Sequence, residues 1–95
     1  MLSETAMVLV EVASERARPD AKWGEQNHPD GTGGGNSKAH ADLARNACDE
    51  AHSRGACTYA LILREEFAEV MAETDPAKLR AELIQVAAVC VQWVE

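Results

Sequence analysis

Apolar positions recur along this chain with a helical period, and no stretch shows the two-residue alternation of a strand. From Ser3 to about Arg18, Met7, Val8 and Val10 sit in a helix-forming mixture with Glu11 and Glu15. Ser3 is placed to cap this helix, and Pro19 is expected to end it. Residues 19–38, PDAKWGEQNHPDGTGGGNSK, hold two prolines and five of the six glycines and show no periodicity. They read as a long loop, and residues 31–38 have the chemistry of a flexible linker. A second, alanine-rich helix is expected from 39 to about 53, stopped at Arg54-Gly55. A third is expected over 57–73. Asp75 then suits an N-cap and Pro76 a first helical position, so a fourth helix runs to the C-terminus. The reading is one all-α domain, residues 1–95, with a long loop after its first helix.

The fourth helix raises the first chemical question. From Leu83 to Val94 almost every residue is apolar, yet Glu82 and Gln85 stand at the start of this run. At 100° per residue, Leu79, Val86, Val89 and Trp93 all lie within about 60° of Glu82. A glutamate so placed is costly to ionise unless something pairs with it. On the third helix, Glu66 and Glu69 fall one turn apart on the shoulder of an apolar face formed by Tyr59, Leu63, Phe67 and Val70, and Glu65 points further out. The turn at Asp75-Pro76 is so short that the two helices must be antiparallel neighbours. A hairpin folded symmetrically about it sets Glu69 level with Glu82, Glu66 with Gln85, and Glu73 with Lys78, the last as a routine ion pair near the turn.

Carboxylates gathered at an apolar edge repel one another. Either their pKa values rise, or a cation lies among them, or Arg64, Arg80 or Lys78 supplies the counter-charge. An all-oxygen donor set suits Mg²⁺ or Mn²⁺ better than Zn²⁺.

Composition narrows the picture further. The chain has 95 residues and a formal net charge of −7. A domain of that size buries roughly 60–65% of the surface its unfolded chain exposes, so its core is thin. Ile84, Ala88 and Val91 make the fourth helix apolar on the side away from Glu82 as well, and a second subunit is the simplest cover. The acidic balance, with no basic stripe, argues against gripping DNA or RNA. Three cysteines without a CxxC argue against a disulfide framework and for a reducing compartment. The acidic residues near the N-terminus do not fit a signal peptide, and no apolar run reaches the ~20 residues of a membrane span. A cytoplasmic protein with no membrane partner is expected.

LREEFAEV, followed across a short turn by AELIQVAAV, resembles the MazG-like branch of the all-α nucleoside triphosphate pyrophosphohydrolases, whose hallmark is EExxE on one helix and ExxD on the next. Glu65, Glu66 and Glu69 complete the first part. The second begins at Glu82, but Gln85 stands at the aspartate position and brings an amide oxygen without a charge. ERARPDAKWGEQNHPDG, residues 15–31, is similar to the opening of short MazG-like proteins of bacteriophages and actinobacteria, with Pro19 where those often have glutamine. The resemblance implies a four-helix MazG-like bundle whose core is completed as a homodimer or homotetramer. It implies conversion of a (deoxy)nucleoside triphosphate to monophosphate and pyrophosphate with Mg²⁺ or Mn²⁺. Glu66, Glu69, Glu82 and Gln85 correspond to the metal ligands, and Glu65 to the residue that orients or deprotonates the attacking water. Lys22 is then suited to a phosphate and Trp23 to a base, although the favoured role for Trp23 is to plug the loop against the helices. Two other readings follow from the same residues. One is a nucleotide-binding module that has lost turnover through Gln85. The other is a helical interaction protein whose acidic face meets a basic partner.

Other signals carry less. Cys48 and His52 share a helix face, but Cys57 lies beyond Gly55 at a spacing that matches no familiar zinc site. Asp42, Asp49 and Glu50 read as solvated. GTGGG follows no strand and lacks GK[ST], so it is not a phosphate-binding loop. Ser37, His40 and Asp42 are crowded into one stretch and make no triad.

Overall fold

The structure is a computed structural model that describes residues 2–95. The described residues form four α-helices and no strand: α1 (Glu4–Trp23), α2 (Ser37–Ser53), α3 (Tyr59–Ala72) and α4 (Pro76–Val94). The described residues are all-α, and none of their helices is long and apolar enough to cross a membrane.

The helix ends follow local capping chemistry. Ser3 Oγ accepts from the Ala6 amide at 3.1 Å and opens α1. Gly55, at φ +68°, donates its N–H to the His52 carbonyl and closes α2 in the left-handed conformation that glycine tolerates best. Thr58 Oγ1 accepts from the Leu61 amide at 3.2 Å and starts α3. Asp75 Oδ2 accepts from the Lys78 amide at 3.0 Å and starts α4, with Pro76 at its first position. The expected ion pair between Glu73 and Lys78 gives way to a different arrangement. Glu73 Oε1 instead accepts from the backbone amides of Thr74 and Asp75, at 3.2 and 3.0 Å, and stiffens the turn itself.

Two expectations about the first helix and its loop are corrected. Pro19 does not end α1, which continues through it to Trp23 and is closed by Gly24 at φ +75°. The loop therefore spans residues 24–36 rather than 19–38. A proline inside a helix removes one backbone hydrogen bond and crowds the carbonyl four residues back, at about 3 kcal/mol. One ion pair spans the defect, Arg16 with Asp20, and another lies just before it, Arg18 with Glu15, each at 2.8 Å. Exposed pairs of this kind contribute about 0.3–0.5 kcal/mol each, so this turn remains the weakest of the helix. The glycine-rich segment also makes a specific contact. Gly33 donates its N–H to the Met71 carbonyl at 2.7 Å, and its φ of +80° and the adjacent Thr74 side chain leave no room for a Cβ.

The chain divides into two compact units. One holds residues 1–30 with 91–95; its buried side chains are Val8 and Val91, and Thr5 Oγ1 donates to Glu95 Oε1 at 2.6 Å. The other holds residues 31–90, and α4 passes from this unit into the first. Within the larger unit α2 lies along α3 through a seam of small side chains, Ala41, Ala44, Cys48 and Ala51, all buried. Their spacing of three and four residues places them on one face of α2. Val70 and Leu79 complete the buried set of this unit.

The face of α3 that turns inward differs from expectation. Val70 is buried, but Phe67 is 57% exposed and Tyr59 38%. The small seam of α2 approaches the glutamate side of α3, where Cys48 meets Glu65 and Arg45 meets Glu69. Glu65 is consequently half-buried rather than turned outward. On α4, Val91 is covered within the chain, whereas Leu83 and Ile84 remain 49% and 57% exposed.

Candidate metal and phosphate site

Glu66 and Glu69 stand one turn apart on α3, and Glu82 lies two turns into α4, beyond the Asp75 cap. The short turn folds the two helices back so that one carboxylate oxygen from each glutamate comes within 4.8 Å of the others. This is the one such group of three acidic or metal-ligating side chains among the described residues. The level match of Glu69 with Glu82 across the hairpin is therefore present. Gln85, one turn further along α4, is exposed.

The electrostatics of the cluster are those of crowded, partly buried carboxyls. Burial pushes the Glu66 carboxyl above its usual range, and the neighbouring charges of Glu69, Glu82 and Glu65 add to the effect. Glu69 is raised by burial, by the charges of Glu82 and Glu65 and by a hydrogen bond to Glu82, while Arg45 pulls it down. Glu66 Oε2 and Glu82 Oε2 are buried without any hydrogen-bond partner. Buried acceptors of this kind cost about 1–3 kcal/mol each when unmet. No donor among the described residues meets them, and a small oxygen-seeking cation between the three glutamates would. The donor set and its two orphaned oxygens thus fit Mg²⁺ or Mn²⁺.

Two basic residues absent from the sequence-based site join it. Glu69 and Glu82 line a cavity of about 480 Å³ together with Lys38, Asp42 and Arg45 of α2. Arg45 Nη2 is 3.6 Å from Glu69 Oε1, and its Nη1 is 3.3 Å from Asp42 Oδ1. Asp42 is thus exposed but engaged in positioning Arg45. The counter-charge expected from Arg64, Arg80 or Lys78 comes instead from Arg45, and it reaches only Glu69. A signal was present in the sequence: Lys38, Asp42 and Arg45 recur at intervals of four and three, one charged stripe on one helix face.

Glu65 lies beside the three glutamates and accepts a hydrogen bond from the Cys48 thiol. That bond, burial and the nearby Cys57 push the thiol up to about 12. Cys48 Sγ is 3.9 Å from Cys57 Sγ, and both are free thiols. Lys22 and Trp23 belong to the other compact unit. Trp23 is 68% exposed, with Lys22 Nζ 4.9 Å from its ring centroid, so the indole does not plug the loop against the helices.

Compared with known proteins, the chain matches no family model, no curated protein and no solved structure.

Proposed function

We propose that this protein is a divalent-cation-dependent nucleoside triphosphate pyrophosphohydrolase of MazG-like type, yielding a (deoxy)nucleoside monophosphate and pyrophosphate. The observation that carries the reading is the convergence of Glu66, Glu69 and Glu82, with two buried carboxylate oxygens that nothing among the described residues satisfies. Glu66, Glu69 and Glu82 would hold Mg²⁺ or Mn²⁺, with Gln85 in reserve as an uncharged oxygen donor. The ion, when bound, supplies neutralisation of phosphate charge, which is the larger part of what phosphoryl chemistry requires. Glu65 would orient a water and accept its proton. Lys22 and Trp23 are exposed and open to a phosphate and a base. Leu83, Ile84, Leu43 and Phe67 leave apolar surface for a second or further copy of the chain, as a dimer or tetramer. The substrate pool would be that of the cytoplasm.

The test is a panel of nucleoside and deoxynucleoside triphosphates with Mg²⁺ or Mn²⁺. Monophosphate and pyrophosphate should appear, and should vanish with EDTA and in Glu69→Gln. A panel that yields no monophosphate overturns the enzymatic reading. The exposure of Gln85 favours a second reading, a nucleotide-binding module without turnover. Gln85→Asp separates the two: a gain of activity from an inactive parent identifies the module.

A further inference from the structure

The cavity beside the glutamates has walls of opposite charge, and Arg45 is shared there between two carboxylates. Arg45 holds Glu69 at 3.6 Å and Asp42 at 3.3 Å, its side chain is 48% exposed, and Lys38 lines the same cavity two turns earlier on the same helix face. Glu66 and Glu82 keep their orphaned oxygens within reach of Glu69. A divalent cation satisfying those oxygens would also claim Glu69, because all three lie in one group. Arg45 would then be released from Glu69 and held by Asp42 alone, in a cavity whose other cationic side chain is Lys38. A guanidinium released there has the fork geometry that binds phosphate oxygens in pairs.

We infer that Arg45 is an exchangeable counter-ion, neutralising Glu69 in the ion-free protein and passing with Lys38 to a condensed phosphate chain when a divalent cation takes Glu69. This rests on the reading of Glu66, Glu69 and Glu82 as a cation site, and it gives cation and phosphate opposite relations to one residue. Arg45 competes with the first and recruits the second.

Calorimetry on the full chain tests it with Mn²⁺ alone, then with inorganic tripolyphosphate at saturating Mn²⁺. Arg45→Ala should bind Mn²⁺ about two- to fivefold more tightly, because a partly exposed ion pair no longer opposes it. The same variant should bind Mn²⁺–tripolyphosphate at least about tenfold more weakly, the scale of a lost charge-assisted contact. Lys38→Ala should weaken only the second. Arg54→Ala, which removes a pair with Glu50 elsewhere on α2, should change neither. A third arm replaces tripolyphosphate with a non-hydrolysable nucleoside triphosphate analogue. Equal weakening there places the contact on the phosphate chain, and weakening confined to the nucleotide overturns that assignment. If Arg45→Ala binds Mn²⁺ less tightly, or tripolyphosphate equally well, the exchange is wrong while the cation site stands. If the unaltered protein takes up no Mn²⁺, the cation site itself is wrong and the exchange falls with it.

Discussion

The two flanks of the α2–α3 pair are built from the same helices and have opposite needs. One flank opens a cavity of about 480 Å³ walled by Glu69, Glu82, Arg45 and Lys38. The other opens a cavity of about 530 Å³ walled largely by Leu43, Ala44, Phe67, Ala68 and Met71. Leu43 and Phe67 are more than half exposed, a state that water tolerates at a cost proportional to area and that any apolar surface relieves. The charged flank is less forgiving. Its orphaned carboxylate oxygens need a cation or a donor in one place, and no amount of apolar cover would help. Exposed apolar area therefore says only that a partner would be favourable, while the acidic flank names two oxygens that lack one.

Replacing Glu82 should separate the flanks most sharply. Glu82→Leu removes a carboxyl whose Oε2 is buried without a partner, so the ion-free protein should gain about 1–3 kcal/mol and its Tm should rise, while the thermal shift produced by Mg²⁺ should disappear. A fall in Tm would mean that Glu82 is already satisfied and that the charged flank needs no ligand. A mutation at the apolar flank should act through its anchoring loop instead. Gly33→Ala forces a left-handed residue and a clash with Thr74 just where the loop bonds to Met71, so a loss of about 1 kcal/mol or more is expected. For a chain of this size that corresponds to a Tm roughly 4–8 °C lower per kcal/mol, with the Mg²⁺ shift retained.

The smallest effect should be the pH dependence of the charged flank. Glu66 and Glu69 have folded-state pKa values raised above the ordinary 4.5. The native state then holds more protons than the unfolded one in this window, so their contribution to stability is full below the ordinary value and is lost as pH rises through the raised values. Thermal melts of the ion-free protein should show Tm falling across that window towards neutrality. Mg²⁺ should oppose the fall, and Glu66→Gln with Glu69→Gln should flatten it. A Tm that rises through the same window would show that the cluster is stabilised as anions by partners within the chain.

Much of this molecule could be read before any coordinates. The four helices, the caps at Ser3 and Asp75, the stop at Gly55 and the level match of Glu69 with Glu82 all depend on residues close in sequence or on one very short turn. Capping, periodicity and a tight hairpin leave little else to decide. Pro19 misled because its penalty is local and finite, about 3 kcal/mol, and a helix can run through it when the flanking residues keep their own bonds.

The contribution of α2 was a matter for the tertiary structure. Its alanine seam approaches the glutamate side of α3, and this leaves Phe67 exposed, turns Glu65 towards Cys48 and brings Arg45 to Glu69. Helical periodicity ranks the faces of one helix by polarity. It does not determine which face a second helix prefers when the first offers an apolar stripe on one side and glutamates beside small residues on the other. Close approach through Ala41, Ala44, Cys48 and Ala51 is a property of the pair, set by side-chain volumes from two helices at once, and that is where the cationic half of the site was decided.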